Sequence, residues 1–173
     1  MNRQTELLRR ACVVIADDDR SFRSAIADAL RAVGVRDIVL AADGAEALQH
    51  ARGRTPDVMI VGLDLPRDGL LTLDQIRVSK DVRIQNLAVI MVTALATKAH
   101  VELLRDSGAT EVLLKPVAAD TLVGRFQAAL VNPRPFIAGG SYRGPDRRRS
   151  SGLDYRGPYR RSRDLPVFDI DVA

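Results

Sequence analysis

Five short apolar runs recur along the first 131 residues, each followed by a stretch with helical spacing of its apolar positions. This alternation constrains the fold more than any other feature of the chain. The first run, Cys12-Val13-Val14-Ile15-Ala16, ends in Asp17-Asp18-Asp19. From Arg20 to Val33, the positions Phe22, Ile26, Ala29, Leu30 and Val33 share one helix face, and Gly34 closes the helix. Strand-type runs return from Asp37 to Ala41, from Asp57 to Val61, from Leu87 to Val92 and from Glu111 to Leu114. Helical stretches fill the intervals from Gly44 to Arg52, Leu70 to Lys80 and Lys98 to Ser107, and a last one runs from Ala118 to Leu130. Apolar runs of this length bounded by helices belong to strands buried on both faces. The pattern predicts an α/β fold, a doubly wound five-stranded parallel sheet with helices on both sides. Sites in such sheets lie at the carboxyl ends of the strands. Asp17, Asp18, Thr93 and Lys115 fall at those ends.

The chain divides into three parts: an N-terminal arm over 1–10, a domain over 11–131, and a tail over 132–173. The arm, Asn2 to Arg10, reads as either a short helix or a disordered segment. It is polar and has no apolar stretch of the signal-peptide kind. No stretch approaches the length of a membrane span. The single cysteine, Cys12, reads as a small buried apolar residue and fits a reducing, cytoplasmic setting. An enzyme is not expected: there is no Cys/His pair or Walker loop, and His50 and His100 stand apart.

Four ordered motifs carry a family resemblance over roughly residues 11 to 131. They are Val14-Ile15-Ala16-Asp17-Asp18-Asp19; Pro56-Asp57-Val58-Met59-Ile60-Val61 leading to Leu65-Pro66 and Asp68-Gly69; Val89-Ile90-Met91-Val92-Thr93-Ala94; and Leu113-Leu114-Lys115-Pro116. The stretch resembles the receiver domains of response regulators, the CheY-like group with a flavodoxin-like fold. The resemblance implies a phospho-acceptor aspartate four residues before Pro66. That position is Gly62, which has no nucleophile. Asp64, two residues on, is open to two readings, a substitute acceptor or a solvated loop acid, and its offset is expected to place it in the loop. Asp17 and Asp18 match the acidic pair that helps hold a divalent ion, Mg here; without a third carboxylate the site is expected to be weak. Thr93 and Lys115 match the switch hydroxyl and the phosphate-binding lysine. Lys115 is free to pair with Asp17 or Asp18. The aromatic switch position is Val112. The resemblance thus implies a retired phospho-switch whose surface serves protein contact.

The tail is of different composition. From Asn132 to Ala173 it holds 9 Arg, no Lys and 5 Asp, whereas residues 1–131 balance at 17 basic and 17 acidic. All of the chain's net +4 charge lies there. Its Gly, Pro, Arg, Ser and Tyr content predicts an irregular, arginine-rich segment without a core. Within it, Tyr142-Arg143-Gly144-Pro145-Asp146-Arg147-Arg148 returns 13 residues later as Tyr155-Arg156-Gly157-Pro158-Tyr159-Arg160-Arg161. Arginine forks onto guanine or phosphate and stacks on bases, as tyrosine does. Gly-Pro limits the entropy lost on binding. An aspartate accepts from a guanine N–H edge. A ligand with two guanines and two phosphates uses all of these groups, and cyclic di-GMP is one.

Arg143/Arg147 and Arg156/Arg160 make R-x-x-x-R pairs. Arg143/Asp146 makes R-x-x-D, like the inhibitory site of diguanylate cyclases. A CheY-like domain with such a tail is similar to the Cle group, CheY-like cyclic di-GMP effectors linked to flagellar motor control. The reading assigns Arg143, Arg147, Arg156 and Arg160 as main ligands, Arg148 and Arg161 as further ones, Tyr142 and Tyr155 as stackers, and Asp146 as a guanine acceptor. The tail is expected to fold only around its ligand. The receiver face is expected to meet a protein such as a motor switch or a kinase. Two other classes stay open: an adaptor with a basic docking tail, and a tail for single-stranded nucleic acid, for which 8 Arg between 142 and 163 make a short footprint.

Overall fold

The computed structural model of the chain describes residues 3–65, 69–95, 97–139 and 142–146. It contains the five expected strands: β1 (Cys12–Ala16), β2 (Asp37–Ala41), β3 (Val58–Gly62), β4 (Ala88–Thr93) and β5 (Glu111–Leu114). All four pairings are parallel, in the order β2-β1-β3-β4-β5. The order reverses beside β1, which places a crevice at the carboxyl ends of β1 and β3.

The helices are α1 (Arg3–Arg10), α2 (Arg20–Ala32), α3 (Gly44–Arg54), α4 (Gly69–Arg77), α5 (Val82–Gln85), α6 (Lys98–Asp106) and α7 (Ala119–Val131). Their starts follow from local chemistry. Asp19 caps α2 by accepting from Ser21 N and Phe22 N. Asp43 caps α3 through Glu46 N, and Glu46 in turn accepts from Ala42 N. Thr97 caps α6. The chain leaves α2 and α6 through Gly34 and Gly108, at φ 105° and 95°, a conformation that glycine adopts without Cβ strain.

Strand alternation builds two cores. Val14, Ala16, Met59, Val61, Val89 and Met91 face Ala47, Leu48, Leu73, Ile76, Ile84 and Leu104 from α3 to α6. Val13, Ile15, Val58, Ile60, Ile90 and Val92 face Leu8, Ile26, Leu30, Leu122 and Phe126 from α1, α2 and α7. The aliphatic content of the chain suffices here: Phe126 is the one aromatic among the largest fully buried side chains. The arm settles as a helix because Leu8, 5% exposed, joins the second core.

Two sequence expectations change. The helix expected from Leu70 to Lys80 ends at Arg77, and a separate short helix, α5, follows it, started by Asp81, which caps a new turn by accepting from Arg83 N. The start of the tail is not irregular. β6 (Phe136–Gly139) and β7 (Tyr142–Pro145) form an antiparallel hairpin. The hairpin succeeds without a core of its own because it borrows one. Ile137 and Tyr142 are buried, Gly144 lies against Gly108, and Asp146 N donates to Pro135 O at 2.8 Å.

Candidate functional site

The carboxyl ends of the strands bring Asp17, Gly62, Thr93 and Lys115 together. Asp17 follows β1 and is 2% exposed. Lys115 follows β5, held there as its N–H donates to Thr93 O at 2.8 Å. Its Nζ lies 2.7 Å from Asp17 Oδ2 and 4.3 Å from the centre of the Phe22 ring. The ammonium is therefore held by a carboxylate and by an aromatic face at once. Asp17 Oδ1 accepts from Asp19 N at 3.0 Å. Arg23 Nη1 donates to the backbone oxygens of Asp17 and Asp18. Of the two carboxylates open to Lys115, the structure pairs Asp17. Asp18 is exposed.

Gly62 ends β3 directly beneath this pair. A Cβ built there would collide with the Asp17 carboxylate. Asp17 thus occupies the space that a side chain at position 62 would need. Asp64 is exposed in the loop beyond. Thr93 is fully buried, and its Oγ1 accepts from Leu95 N at 2.9 Å. Among the described residues no group of three or more His, Cys, Asp or Glu is placed to hold a metal. The Asp17–Asp18 pair fits Mg poorly, since Lys115 already compensates the charge of Asp17. Cys12 is no nucleophile at neutral pH: partial burial first, then Asp37, pushes its thiol up to about 11.

A second constellation sits at the opposite end of the strands, where β4 and β5 begin. Arg77, at the end of α4, is 2% exposed. It donates through Nε to Gly108 O at 2.9 Å, and through Nη1 to Gln85 O at 2.7 Å and Leu87 O at 2.9 Å. Its guanidinium lies 5.7 Å from the centre of the Phe136 ring. Burial pulls its pKa down to about 10. The hairpin rests on this arginine and on Gly108. Glu111 adds ion pairs with Arg134 and, at 3.5 Å, with Arg125.

The tail residues expected to bind a ligand are divided by this packing. Tyr142 is 6% exposed and its hydroxyl donates to Pro145 O at 2.7 Å. Its ring is a hairpin anchor, which corrects its reading as a base-stacking group. Arg143 is exposed and Asp146 is half-buried. Arg147, Arg148, Tyr155, Arg156, Arg160 and Arg161 lie outside the described residues. A cleft of ≈ 120 Å³ between α6, β5 and the hairpin is lined by Arg105, Glu111, Arg134 and Pro145 among others. It is too small for a dinucleotide, since pockets for such ligands run to several hundred Å³. Sequence reasoning missed Arg77 and Glu111, because nothing in the helical spacing marks Arg77 as buried.

Comparison with known proteins bears on the first of these sites. The family model for the response regulator receiver domain matches residues 13–127. The chain belongs to the response regulator receiver family. Curated relatives include the transcriptional regulatory protein PdtaR of Mycobacterium tuberculosis, 30% identical over 127 residues, covering 73% of this chain and 60% of PdtaR. The response regulator MprA of Mycobacterium avium is 32% identical over 124 residues, covering 71% of this chain and 52% of MprA. The chain thus spans less than two thirds of the length of either relative. Solved structures with the same receiver fold include the chemotaxis response regulator CheY4 of Vibrio cholerae, with a TM-score of 0.64 at 28% identity, covering 69% of this chain and 98% of CheY4. The receiver domain of the Francisella response regulator 1452 aligns with a TM-score of 0.66 at 27% identity, covering 72% of this chain and all of that one. The receiver match ends before the hairpin begins. No described helix is long and apolar enough to cross a membrane.

Proposed function

We propose that this receiver-type module is a non-enzymatic signalling protein that takes no phosphoryl group at position 62, binds cyclic di-GMP through its arginine-rich tail, and docks on a protein partner through its receiver face. The observation that carries the reading is the space over Gly62. The end of β3 offers no nucleophile, and the carboxylate that fills the gap is already paired with Lys115. An input other than phosphorylation is needed, and the duplicated arginine motif is the chemistry available for it. Arg143, Arg147, Arg156 and Arg160 take the guanines and phosphates, with Arg148 and Arg161 adding charge. Tyr155 stacks, Asp146 accepts from a guanine edge, and Tyr142 fixes the hairpin that launches the motif. Leu95, Leu103 and Leu114, each more than 40% exposed on and beside α6, suit a protein surface.

The test is the double variant Arg147→Ala/Arg160→Ala. Each arginine contributes a charge-assisted bond of ≈ 1.5–3 kcal/mol, so affinity for cyclic di-GMP should fall by about 100-fold or more. Unchanged affinity sinks the assignment. The exposed leucines also favour an adaptor in which tail and receiver both dock on proteins. In that case the domain binds its partner equally with and without the dinucleotide.

A further inference from the structure

The part of the first repeat that the structure describes is used for packing, and the second repeat contains every residue which that packing requires. Position by position, β7 needs Tyr142 for a buried ring and a hydroxyl to Pro145 O. It needs glycine at 144, where a Cβ would stand 2.6 Å from Gly108 Cα and 2.7 Å from Tyr142 Oη. It needs Pro145, which is buried opposite Phe136. Arg143 points to an exposed position. Asp146 contributes its backbone N–H to Pro135 O, a bond that any residue except proline can make. The second copy, Tyr155-Arg156-Gly157-Pro158, keeps all four β7 residues and changes only Asp146, to Tyr159.

We infer that the seat formed by β6, Gly108 and Arg77 accepts either copy, and that Tyr155–Pro158 of the same chain exchanges with Tyr142–Pro145 for it. The first copy returns to β6 across residues 140–141 and the second across residues 140–154. Loop-closure entropy favours the short connection by roughly 20-fold. The first copy therefore holds the seat, and the second takes it when the first is withdrawn. Exchange replaces Arg143 by Arg156 on the exposed strand position and gathers Arg143, Arg147, Arg148 and Arg149 into one closed loop. The tail thus has two registers with different arginine displays, and whatever grips one display shifts the balance. The exchange itself needs no ligand and does not depend on the cyclic di-GMP reading.

Amide hydrogen exchange of Phe136–Gly139 in the full chain reads the seat directly. Four proteins are compared: the parent, Gly144→Val, Gly157→Val, and the double variant. The valine at 144 crowds Gly108 and evicts only the first copy. Gly157→Val should match the parent within twofold. Gly144→Val should lose about 20-fold in protection yet stay well above the double variant, which should exchange as free peptide. Protection of β1 and β3 amides shows that the domain is folded in all four. Tyr142→Ala, which leaves Gly108 uncrowded, is a second route to the same vacancy and should behave as Gly144→Val. The inference is overturned if both single evictions expose β6 as fully as the double variant, or if the parent is as exposed as the double. It is also overturned if the residual protection in Gly144→Val grows with protein concentration, because the seat is then filled by another chain.

Discussion

Replacing Lys115 with methionine is expected to lower the unfolding free energy by about 3 kcal/mol. The reason is the carboxylate left behind. Asp17 is 2% exposed, and among the described residues it keeps the Asp19 N–H once its ammonium partner is gone. Removing one partner of a buried pair costs about 3–5 kcal/mol, and the lower end applies because Lys115 is itself 21% exposed. The loss of the Phe22 contact adds to it. Because the penalty belongs to the stranded charge, Asp17→Asn should recover much of it in the Lys115→Met background. A double-mutant cycle by urea unfolding should show a coupling of about 2 kcal/mol. A loss below about 1 kcal/mol, or additive single variants, would mean that Asp17 is solvated and the space over Gly62 is open.

Arg77→Met is expected to cost about 3 kcal/mol or more, and to do so locally first. Methionine preserves much of the volume and none of the donors. The oxygens of Gly108, Gln85 and Leu87 lose a shared partner in a site that water reaches poorly. Burial of the guanidinium already works against the native state, as its depressed pKa shows. That opposing term limits the loss without cancelling it, because the three acceptors remain. At a folded pKa of about 10 the group keeps its proton in both states across the neutral range. It therefore contributes no pH slope to stability there, and the effect of the substitution should be the same at about pH 6 and pH 8. The hairpin should detach before the domain unfolds, since Phe136 and Gly108 both rest on Arg77. Exchange protection lost in β6 but retained in β3 at low urea is the expected signature. Simultaneous loss in both strands would show that the hairpin is integral to the domain core.

The sheet and its helices were legible because burial on both faces leaves a plain record. Val13-Val14-Ile15 and Val58-Met59-Ile60-Val61 cannot be surface strands, and Gly34 and Gly108 mark helix ends that the structure places at positive φ. The cluster at the strand ends was legible for the same reason, since parallel topology dictates which residues meet there. Which carboxylate Lys115 chooses was not, because Asp17 and Asp18 differ only in the face of the chain on which they emerge. The hairpin was misread for a physical cause. Phe136–Gly139 and Tyr142–Pro145 have too little apolar content to stand alone, and their stability comes from Arg77 and Gly108, distant in sequence. Arg77 itself follows Ile76 in a helix whose periodicity gives it no special place. A buried arginine is specified by the carbonyls around it, and these come from two separate segments, the end of α5 and the turn after α6. The repeat was visible, yet identity between copies does not distinguish residues kept for packing from residues kept for binding. In the first copy, Tyr142, Gly144 and Pro145 serve packing, and Arg143 is exposed.

The most direct test of the account is a calorimetric titration of cyclic di-GMP into the full chain, beside GTP, GMP and a short oligonucleotide. A chain ending after Asp146, which keeps the hairpin, serves as the control. Micromolar or tighter binding of cyclic di-GMP alone, lost in the control, is the expected result. Absence of binding, or equal binding of every polyanion, would contradict it and leave the tail as a docking arm on a receiver domain.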